Sequence, residues 1–163
     1  MSSEDGENKF KADNMLGKLC KWLRIFGFDV EYTSPDMTDN EILEKCRQGD
    51  LWLITRDKGF KGRYGKLVLI SDLNIDQQLK EFLSRFPPDS EKFFSRCPVC
   101  NRILVPRDSR ELVGLVPEKI IDLHKEIDWC ETCGKGYWKG SHYDKMVAYM
   151  KTVIAEDMNA DSR

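Results

Sequence analysis

Apolar and polar positions alternate along the first half of the chain in two different periods. Short apolar runs, typical of buried strands, lie at residues 9–13, 29–33, 51–55 and 66–71. Apolar positions at helical spacing predict helices at residues 14–26, 38–49 and 74–86. Strands that alternate with helices in this order predict an α/β fold, in which right-handed crossovers build a parallel sheet flanked by helices.

The pattern changes after the two prolines at residues 87 and 88, which end the last of these helices. Residues 93–143 combine short strands and turns with one predicted helix near 117–126. A capping box at residues 141–144 then begins a final helix that carries apolar side chains for packing. We therefore expect a first domain at 9–88, a small module at 93–143, a helix at 144–155 that packs on these domains, and disordered tails at 1–8 and 156–163.

Four of the six cysteines form two pairs with the same spacing, namely Cys97, Cys100, Cys130 and Cys133. The two pairs are separated by 29 residues. Two such turns can close a tetrahedron of thiolates around a structural Zn²⁺, with Zn–S bonds of about 2.3 Å. Disulfides or redox Cys-x-x-Cys motifs are the alternative, which two separated copies fit poorly. The remaining Cys20 and Cys46 fall on apolar helix faces and are expected to be buried.

The composition is that of an ordinary globular protein, with 40% hydrophobic and 33% charged residues. Lys and Arg number 26 against 28 Asp and Glu, and the net charge of −2 excludes a protein that coats nucleic acid by bulk attraction. No apolar stretch approaches the roughly 20 residues of a membrane-spanning helix. The polar, acidic start lacks the features of a secretory signal, so we expect a cytoplasmic protein with no membrane partner.

Acidic side chains lie where the predicted parallel strands end, namely Asp13, Asp57 and Asp72. Asp39 begins the second predicted helix and can face the same edge of the sheet. Ligands bind at this edge in open parallel sheets, and carboxylates that converge there suit Mg²⁺ or Mn²⁺. The plainer interpretation is that each aspartate is a turn or capping residue, with Glu41 completing the cap of the second helix.

Basic side chains near this edge are candidates for holding a phosphate backbone. Residues 56–66 carry five basic side chains and one acid, and the first helix adds more cations. The candidate substrate-binding residues are Lys18, Lys21, Arg56 and Lys58, with Arg24 on the same side of the first helix. Phe60 and Tyr64 are candidates for stacking on bases, whereas Trp52 is expected in the core. The alternative for the basic run is a solvated loop.

A series of segments in this order resembles the Mut-seven C-terminal RNase domain family. The segments are DNMLGKLCKWLR (13–24), GFD (27–29), DNEIL (39–43), TRD (55–57), the two cysteine pairs and YWKGSH (137–142). The resemblance covers residues 9–154, and the ordered combination is more specific than any single segment. It implies a compact PIN-like nuclease fold with a zinc ribbon at its C-terminal end.

The resemblance also implies metal-dependent cleavage of RNA, expected to be single-stranded, by a set of carboxylates. Asp13 matches the acid of the first strand, Asp39 the acid that opens the second helix, and Asp57 the acid of the Thr-Arg-Asp element. The remaining candidates are Asp72 as a fourth acid, Asp76 as its fallback, and Glu41 as a competitor at the second position. One or two catalytic ions fit this pattern, and the oligomeric state stays open.

Two other classes of protein share parts of this pattern. A non-catalytic RNA- or protein-binding module with a PIN-like fold and a zinc ribbon would keep the acids without activity. A phosphorylatable receiver domain also has an aspartate at the end of a parallel strand, but it needs an acidic pair there, and Asn14 follows Asp13 in this chain. Binding of Mn²⁺ at the acids, separate from zinc, distinguishes a nuclease from a binding module.

Overall fold

The computed structural model describes residues 7–71 and 73–161, with residues 156–161 described by their backbone alone. The strands of these residues form two sheets. The first contains β1 Lys9–Ala12, β2 Asp29–Tyr32, β3 Trp52–Thr55 and β4 Leu67–Leu69, all parallel, in the order β2-β1-β3-β4. The second contains β5 Val105–Asp108, β6 Glu126–Cys130 and β7 Lys135–Tyr137, antiparallel and in chain order. The predicted α/β fold with a parallel sheet is therefore confirmed.

The described α-helices are α1 Gly17–Ile25, α2 Asp39–Gly49, α3 Ile75–Arg85, α4 Glu118–Leu123 and α5 Ser141–Asp161. The helix predicted from residue 14 begins as a 3-10 turn at Asn14–Leu16, so the chain turns tightly just after the first strand. Helix α5 continues to Asp161, past residue 155 where the sequence pattern places its end. Within the described residues, no helix combines the length and the apolar character needed to cross a membrane.

The strand order places a topological switch point between β1 and β3. From β1 the chain crosses to β2 through α1, and from β2 it returns over β1 to β3 through α2. Two separate hydrophobic clusters follow from this path. Phe10 packs with α1 and α3 on one face of the sheet, whereas Leu53 packs with Leu43 and Cys46 of α2 on the other. Parallel strands that are covered on both faces need the continuous apolar runs seen in the sequence.

Helix α2 begins with the predicted capping box. The Thr38 hydroxyl accepts a hydrogen bond from the Glu41 N–H (3.2 Å), and the Glu41 carboxylate accepts one from the Thr38 N–H (2.7 Å). These two bonds satisfy N–H groups that a helix start leaves without partners. The beginning of α2 is therefore fixed at the edge of the sheet where the strands end.

Cys20 and Cys46 are buried, as the sequence pattern predicts. Burial raises the pKa of each thiol to about 11. Neither thiol carries an appreciable fraction of the reactive thiolate at neutral pH. Both cysteines therefore act as small hydrophobic side chains in the two clusters.

The last helix completes the core of the parallel sheet, although it follows the cysteine module in the chain. Met150 and Val153 are each 2% exposed and belong to the same hydrophobic cluster as Phe10. The ring of Tyr149 lies 4.7 Å from that of Trp22 on α1, measured between centroids. Helix α5 thus packs on the first part of the chain.

A buried arginine ties the first cysteine turn to the parallel sheet. The Arg24 side chain leaves α1 and is 7% exposed. Its Nε donates to the Val30 carbonyl (2.9 Å), and its Nη1 donates to the carbonyls of Pro98 and Val99 (3.1 Å each). A buried guanidinium needs such acceptors to offset its desolvation. Arg24 therefore joins α1, the edge strand β2 and the cysteine turn.

An asparagine of the same cysteine turn pairs with the open side of β2. Asn101 has a positive φ of 75°, which asparagine tolerates better than most residues. Its Oδ1 accepts from the Val30 N–H (3.1 Å), and its Nδ2 donates to Asp29 Oδ1 (2.7 Å). Arg96 lies 3.7 Å from the other oxygen of Asp29. These contacts cover an edge strand that would otherwise present unpaired backbone groups.

Candidate functional site

A buried threonine connects two of the predicted acids at the switch point. Asp13 follows β1, Asp57 follows β3, and these strands are neighbours in the sheet. The hydroxyl of Thr55, which is 0% exposed, donates to Asp13 Oδ2 (2.9 Å) and accepts from the Asp57 N–H (3.0 Å). The Asp13 N–H donates to the Ile54 carbonyl (2.9 Å). Both the backbone and the side chain of Asp13 are thereby held next to the end of β3.

Asp57 also caps the short turn that follows it. Its Oδ1 accepts a hydrogen bond from the Gly59 N–H (2.8 Å) at the start of the 3-10 turn Lys58–Phe60. A Cβ atom at Gly59 would lie 3.0 Å from the same oxygen, so glycine leaves room for the carboxylate. The Asp57 side chain is exposed and Asp13 is half-buried. The pair therefore offers oxygen ligands at an edge that solvent reaches.

The third predicted acid has a different partner. Asp39 is the first residue of α2 and is exposed, and its Oδ2 lies 3.6 Å from Arg63 Nη1. Glu41, the competitor for this position, is engaged in the capping box. Among the side chains that the structure describes, no three carboxylates lie within 4.8 Å of one another. Thr55 thus connects the Asp13 carboxylate with the Asp57 backbone, whereas the recorded partner of the Asp39 carboxylate is Arg63.

The fourth predicted acid, Asp72, lies outside the described residues. Its fallback, Asp76, lies in the first turn of α3, where its carboxylate accepts a hydrogen bond from the Tyr149 hydroxyl of α5. Asp76 therefore has a structural partner in the packing of α5 on α3.

The predicted substrate-binding cations divide into two groups. Lys18, Lys21 and Lys58 are exposed and Arg56 is half-buried, close in sequence to the two acids. Arg24, which the spacing places with the lysines of α1, instead turns inward to the cysteine turn. The position of Arg24 in the helix allows its side chain to point either toward the lysines or toward the cysteine turn. Only its tertiary contacts determine which of the two it does.

The two aromatic side chains expected to stack on bases are structural instead. Phe60 is 1% exposed in the cluster under α2. The Tyr64 hydroxyl donates to the backbone carbonyls of Leu51 (2.5 Å) and Cys46 (3.2 Å). The expectation is wrong for Phe60, whose ring is buried, whereas Tyr64 is half-buried and packs against the same cluster.

Sequence reasoning also missed functional candidates at the edge. Thr55 belongs to the Thr-Arg-Asp element, but the sequence pattern assigns no role to its hydroxyl; its place two residues before Asp57 is the available signal. Tyr32 ends β2, is 44% exposed, and its hydroxyl donates to the Asn14 carbonyl. A Cβ atom at Gly17 would lie 2.9 Å from that hydroxyl, so the small residue admits the tyrosine.

The four paired cysteines form a compact cluster. The sulphur atoms of Cys97, Cys100, Cys130 and Cys133 all lie within 4.8 Å of one another. The Cys97–Cys133 distance is 3.9 Å and the Cys100–Cys130 distance is 3.4 Å between sulphurs, far longer than a disulfide. A tetrahedron with metal–sulphur bonds of about 2.3 Å has edges of about 3.8 Å. The cluster therefore fits a metal such as zinc.

The electrostatics of the cluster agree with this fit. Burial alone would raise the pKa of the Cys97 thiol, but its hydrogen bonds to the Tyr137 hydroxyl (3.4 Å) and to backbone N–H groups lower the pKa to about 7. The pKa of Cys133 is raised to about 12, first by its hydrogen bond with Cys100 and then by burial. One thiolate thus disfavours the next, and a cation is needed to hold four together.

The fold and these sites define an α/β protein with an acidic pair at the switch point of a parallel sheet and a four-cysteine module docked on its edge. The family model described as the Mut7-C RNAse domain matches residues 8–150. The chain belongs to this family, as the sequence resemblance predicts. Membership indicates a nuclease-type function with RNA as the substrate. No curated protein matches the chain.

Proposed function

We propose that the protein is a metal-dependent ribonuclease that hydrolyses phosphodiester bonds at the edge of the parallel sheet. The observation that carries the proposal is that the Thr55 hydroxyl donates to the Asp13 carboxylate and accepts from the Asp57 backbone N–H, at the ends of two neighbouring strands. These acids come from distant parts of the chain, and the switch point is where open parallel sheets bind ligands. Their oxygen atoms are the ligands that Mg²⁺ and Mn²⁺ prefer.

In this proposal each residue of the edge has a distinct part. Asp13 and Asp57 hold the divalent ion, and Thr55 keeps Asp13 oriented through its hydrogen bond. The bound ion supplies a lowered pKa for a water molecule and charge neutralisation for the phosphate. The Gly59 N–H donates to Asp57 Oδ1 and so holds the orientation of this carboxylate. Asp39 and Asp72 are further acids of the proposed set.

The proposed substrate is single-stranded RNA, held by cations beside the acids. Lys18, Lys21, Arg56 and Lys58 are the side chains assigned to phosphate. Since the net charge of the chain is −2, this attraction must be local to the edge and sensitive to salt. An extended single-stranded RNA can present successive phosphates to cations on both α1 and the loop after β3.

The proposed role of the cysteine cluster is to hold a structural Zn²⁺. All four ligands come from the protein, so no open position remains for chemistry. The Tyr137 hydroxyl beside Cys97 orients and stabilises one thiolate from outside the ligand set. We further propose that residues 93–143 form a module distinct from the nuclease domain at 9–88.

An Asp57→Asn variant tests the catalytic proposal against an Asp122→Asn control, which neutralises an exposed aspartate on α4. We expect the Asp57 variant to cleave a single-stranded RNA oligonucleotide with Mn²⁺ at least ~100-fold more slowly than wild type, because the ion loses a ligand. The control should cleave at the wild-type rate. Thermal unfolding should show both variants folded.

Cleavage by the Asp57 variant at the wild-type rate would overturn the proposal. Titration of the purified protein with Mn²⁺ supplies the second readout. A nuclease should bind Mn²⁺ in addition to its zinc and lose that binding in the Asp57 variant. Zinc without Mn²⁺ binding or cleavage would instead favour a non-catalytic RNA- or protein-binding module.

A further inference from the structure

A second threonine lies in the same row of the sheet as Asp13 and Thr55. Thr33 directly follows β2, and its N–H donates to the Ala12 carbonyl (3.0 Å). The neighbouring residues Lys11 and Glu31 are register partners, and their side chains form an ion pair (3.1 Å) on one face of the sheet. Side chains alternate along a strand, so the residues two positions further on share that face.

By this alternation Thr33, Asp13 and Thr55 form a row across three adjacent strands. Lys11 is the register partner of Leu53 on β3 and of Glu31 on β2, and Thr55, Asp13 and Thr33 each lie two residues further along their strands. The face they share is the one covered by α2. Asp13 is therefore flanked by a threonine on each side.

The two threonines differ in their hydrogen bonds. Both are buried, with Thr55 0% and Thr33 2% exposed. The Thr55 hydroxyl has two partners, Asp13 and Asp57. The Thr33 hydroxyl is buried and has no hydrogen-bond partner among the residues that the structure describes. Buried hydroxyls of folded proteins are rarely left without a partner, so this one needs an explanation.

We propose that Thr33 is a positioning residue of the candidate active site, whose hydroxyl binds a water molecule of the divalent ion held by Asp13. This inference rests on the proposed ribonuclease function. Mg²⁺ and similar ions keep several of their waters when only one or two carboxylates bind them. Those waters need hydrogen-bond partners, and a hydroxyl both donates and accepts.

Thr33→Val removes the hydroxyl and keeps the branched shape, and Thr33→Ser keeps the hydroxyl. The full-length protein is titrated with Mn²⁺ and its cleavage of single-stranded RNA is followed at limiting Mn²⁺. For Thr33→Val we expect a Mn²⁺ midpoint about tenfold higher, with cleavage reduced to match, since a partner of the ion's waters is lost. Thr33→Ser should lie near wild type.

Thermal unfolding without Mn²⁺ separates this role from a structural one. Replacing a buried hydroxyl that has no partner by a methyl group removes a desolvation cost, so Thr33→Val should unfold at the same or a higher temperature than wild type. Thr152→Val is the control. Thr152 is an exposed residue of α5 whose hydroxyl donates to backbone carbonyls of the same helix, and it is far in sequence from the acids. It should leave Mn²⁺ binding and cleavage unchanged.

Three outcomes overturn the inference. If wild type cleaves with Mn²⁺ and Thr33→Val matches it, the positioning role fails while the proposed function stands. If Thr33→Val unfolds at a clearly lower temperature without Mn²⁺ and keeps its Mn²⁺ midpoint, the hydroxyl is structural. If wild type neither binds Mn²⁺ at the acids nor cleaves RNA, the proposed function fails and the inference fails with it.

Discussion

The acidic edge and the cysteine cluster are built on opposite principles. The cysteine cluster takes two ligands from each of two tight turns, and its four sulphurs all lie within 4.8 Å of one another. The acidic edge takes its members from the ends of separate strands, and Asp13 and Asp57 are related through Thr55. Four sulphurs from two turns could form a closed shell around one ion, whereas two acids from separate strands would leave positions open on an ion.

This difference has a chemical consequence. A closed set of four thiolates suits an ion that only holds the chain together. An incomplete set of carboxylates, at an edge that solvent reaches, leaves room for water and substrate on the ion. We therefore expect the two regions to respond to mutation differently, since the cysteine cluster is proposed to be needed for the fold of its module and the acidic edge for activity.

The largest expected effect is on the cysteine side. Cys130→Ser removes a ligand that is 0% exposed, and we expect bound zinc to fall from one ion per chain to none. Structural zinc supplies on the order of 10 kcal/mol of folding free energy in small modules, so residues 93–143 should unfold. Metal analysis and thermal unfolding measure both effects. Cys20→Ala, outside the cluster, should keep the zinc, and equal zinc in the Cys130 variant would contradict the assignment.

Chelation of the metal tests how far this unfolding spreads. With a chelator at pH 8, four thiols should react rapidly with a coloured thiol reagent. Cys20 and Cys46 should stay slow, because burial raises the pKa of each to about 11 and leaves about one thiolate in a thousand. The absorbance counts the reacted thiols. Rapid reaction of all six would show that the parallel sheet unfolds with the module.

A smaller effect is expected at the junction between the two regions. Arg24→Met keeps the apolar stem but removes the donors to three carbonyls, including that of Val30. Hydrogen bonds from charged groups contribute about 1.5–3 kcal/mol, so we expect a loss of about 2–3 kcal/mol in urea unfolding. Lys21→Met, on the exposed side of the same helix, should change stability by less than about 0.5 kcal/mol. Equal losses of stability in the two variants would contradict a stabilising role for the contacts of Arg24 with β2 and the first cysteine turn.

The smallest effect concerns the third acid. Arg63→Gln removes the exposed ion pair with Asp39, which costs at most about 1 kcal/mol. If Asp39 belongs to the proposed metal site, its release should lower the Mn²⁺ midpoint about two- to threefold by the electrostatics of an added free carboxylate. Arg47→Gln, which removes an exposed arginine of the last turn of α2, is the control. An unchanged or higher midpoint would mean that Asp39 serves only the helix and its arginine.

Local sequence patterns predict the strands and helices of the parallel-sheet region. Contacts between residues far apart in the sequence explain the features that these patterns do not predict. The apolar run at 51–55 and the capping box at 38–41 are local signals, and the structure has β3 and α2 there. The sequence pattern groups Arg24 with the exposed lysines of α1, whereas the structure turns it inward. Its partners Pro98 and Val99 lie more than seventy residues away in the sequence, so no local pattern indicates them. Thr33 and Thr55 suit strands by propensity alone, so the local sequence indicates no role for their hydroxyls. The predicted topology places Asp13 and Asp57 at the ends of neighbouring strands, but it does not predict the Thr55 hydroxyl that bonds to the carboxylate of one and the backbone N–H of the other.

The position of α5 decides when the protein can fold during synthesis. Met150 and Val153 belong to the same core as Phe10, so this core stays incomplete until α5 has left the ribosome. Until then the apolar sides of α1 and α3 are exposed to water, and such surfaces promote aggregation or bind chaperones. A fragment cut after residue 88 would keep that exposed surface permanently. Expression of the acidic edge on its own therefore requires the last helix to be supplied as well, either joined by a short linker or added as a separate peptide.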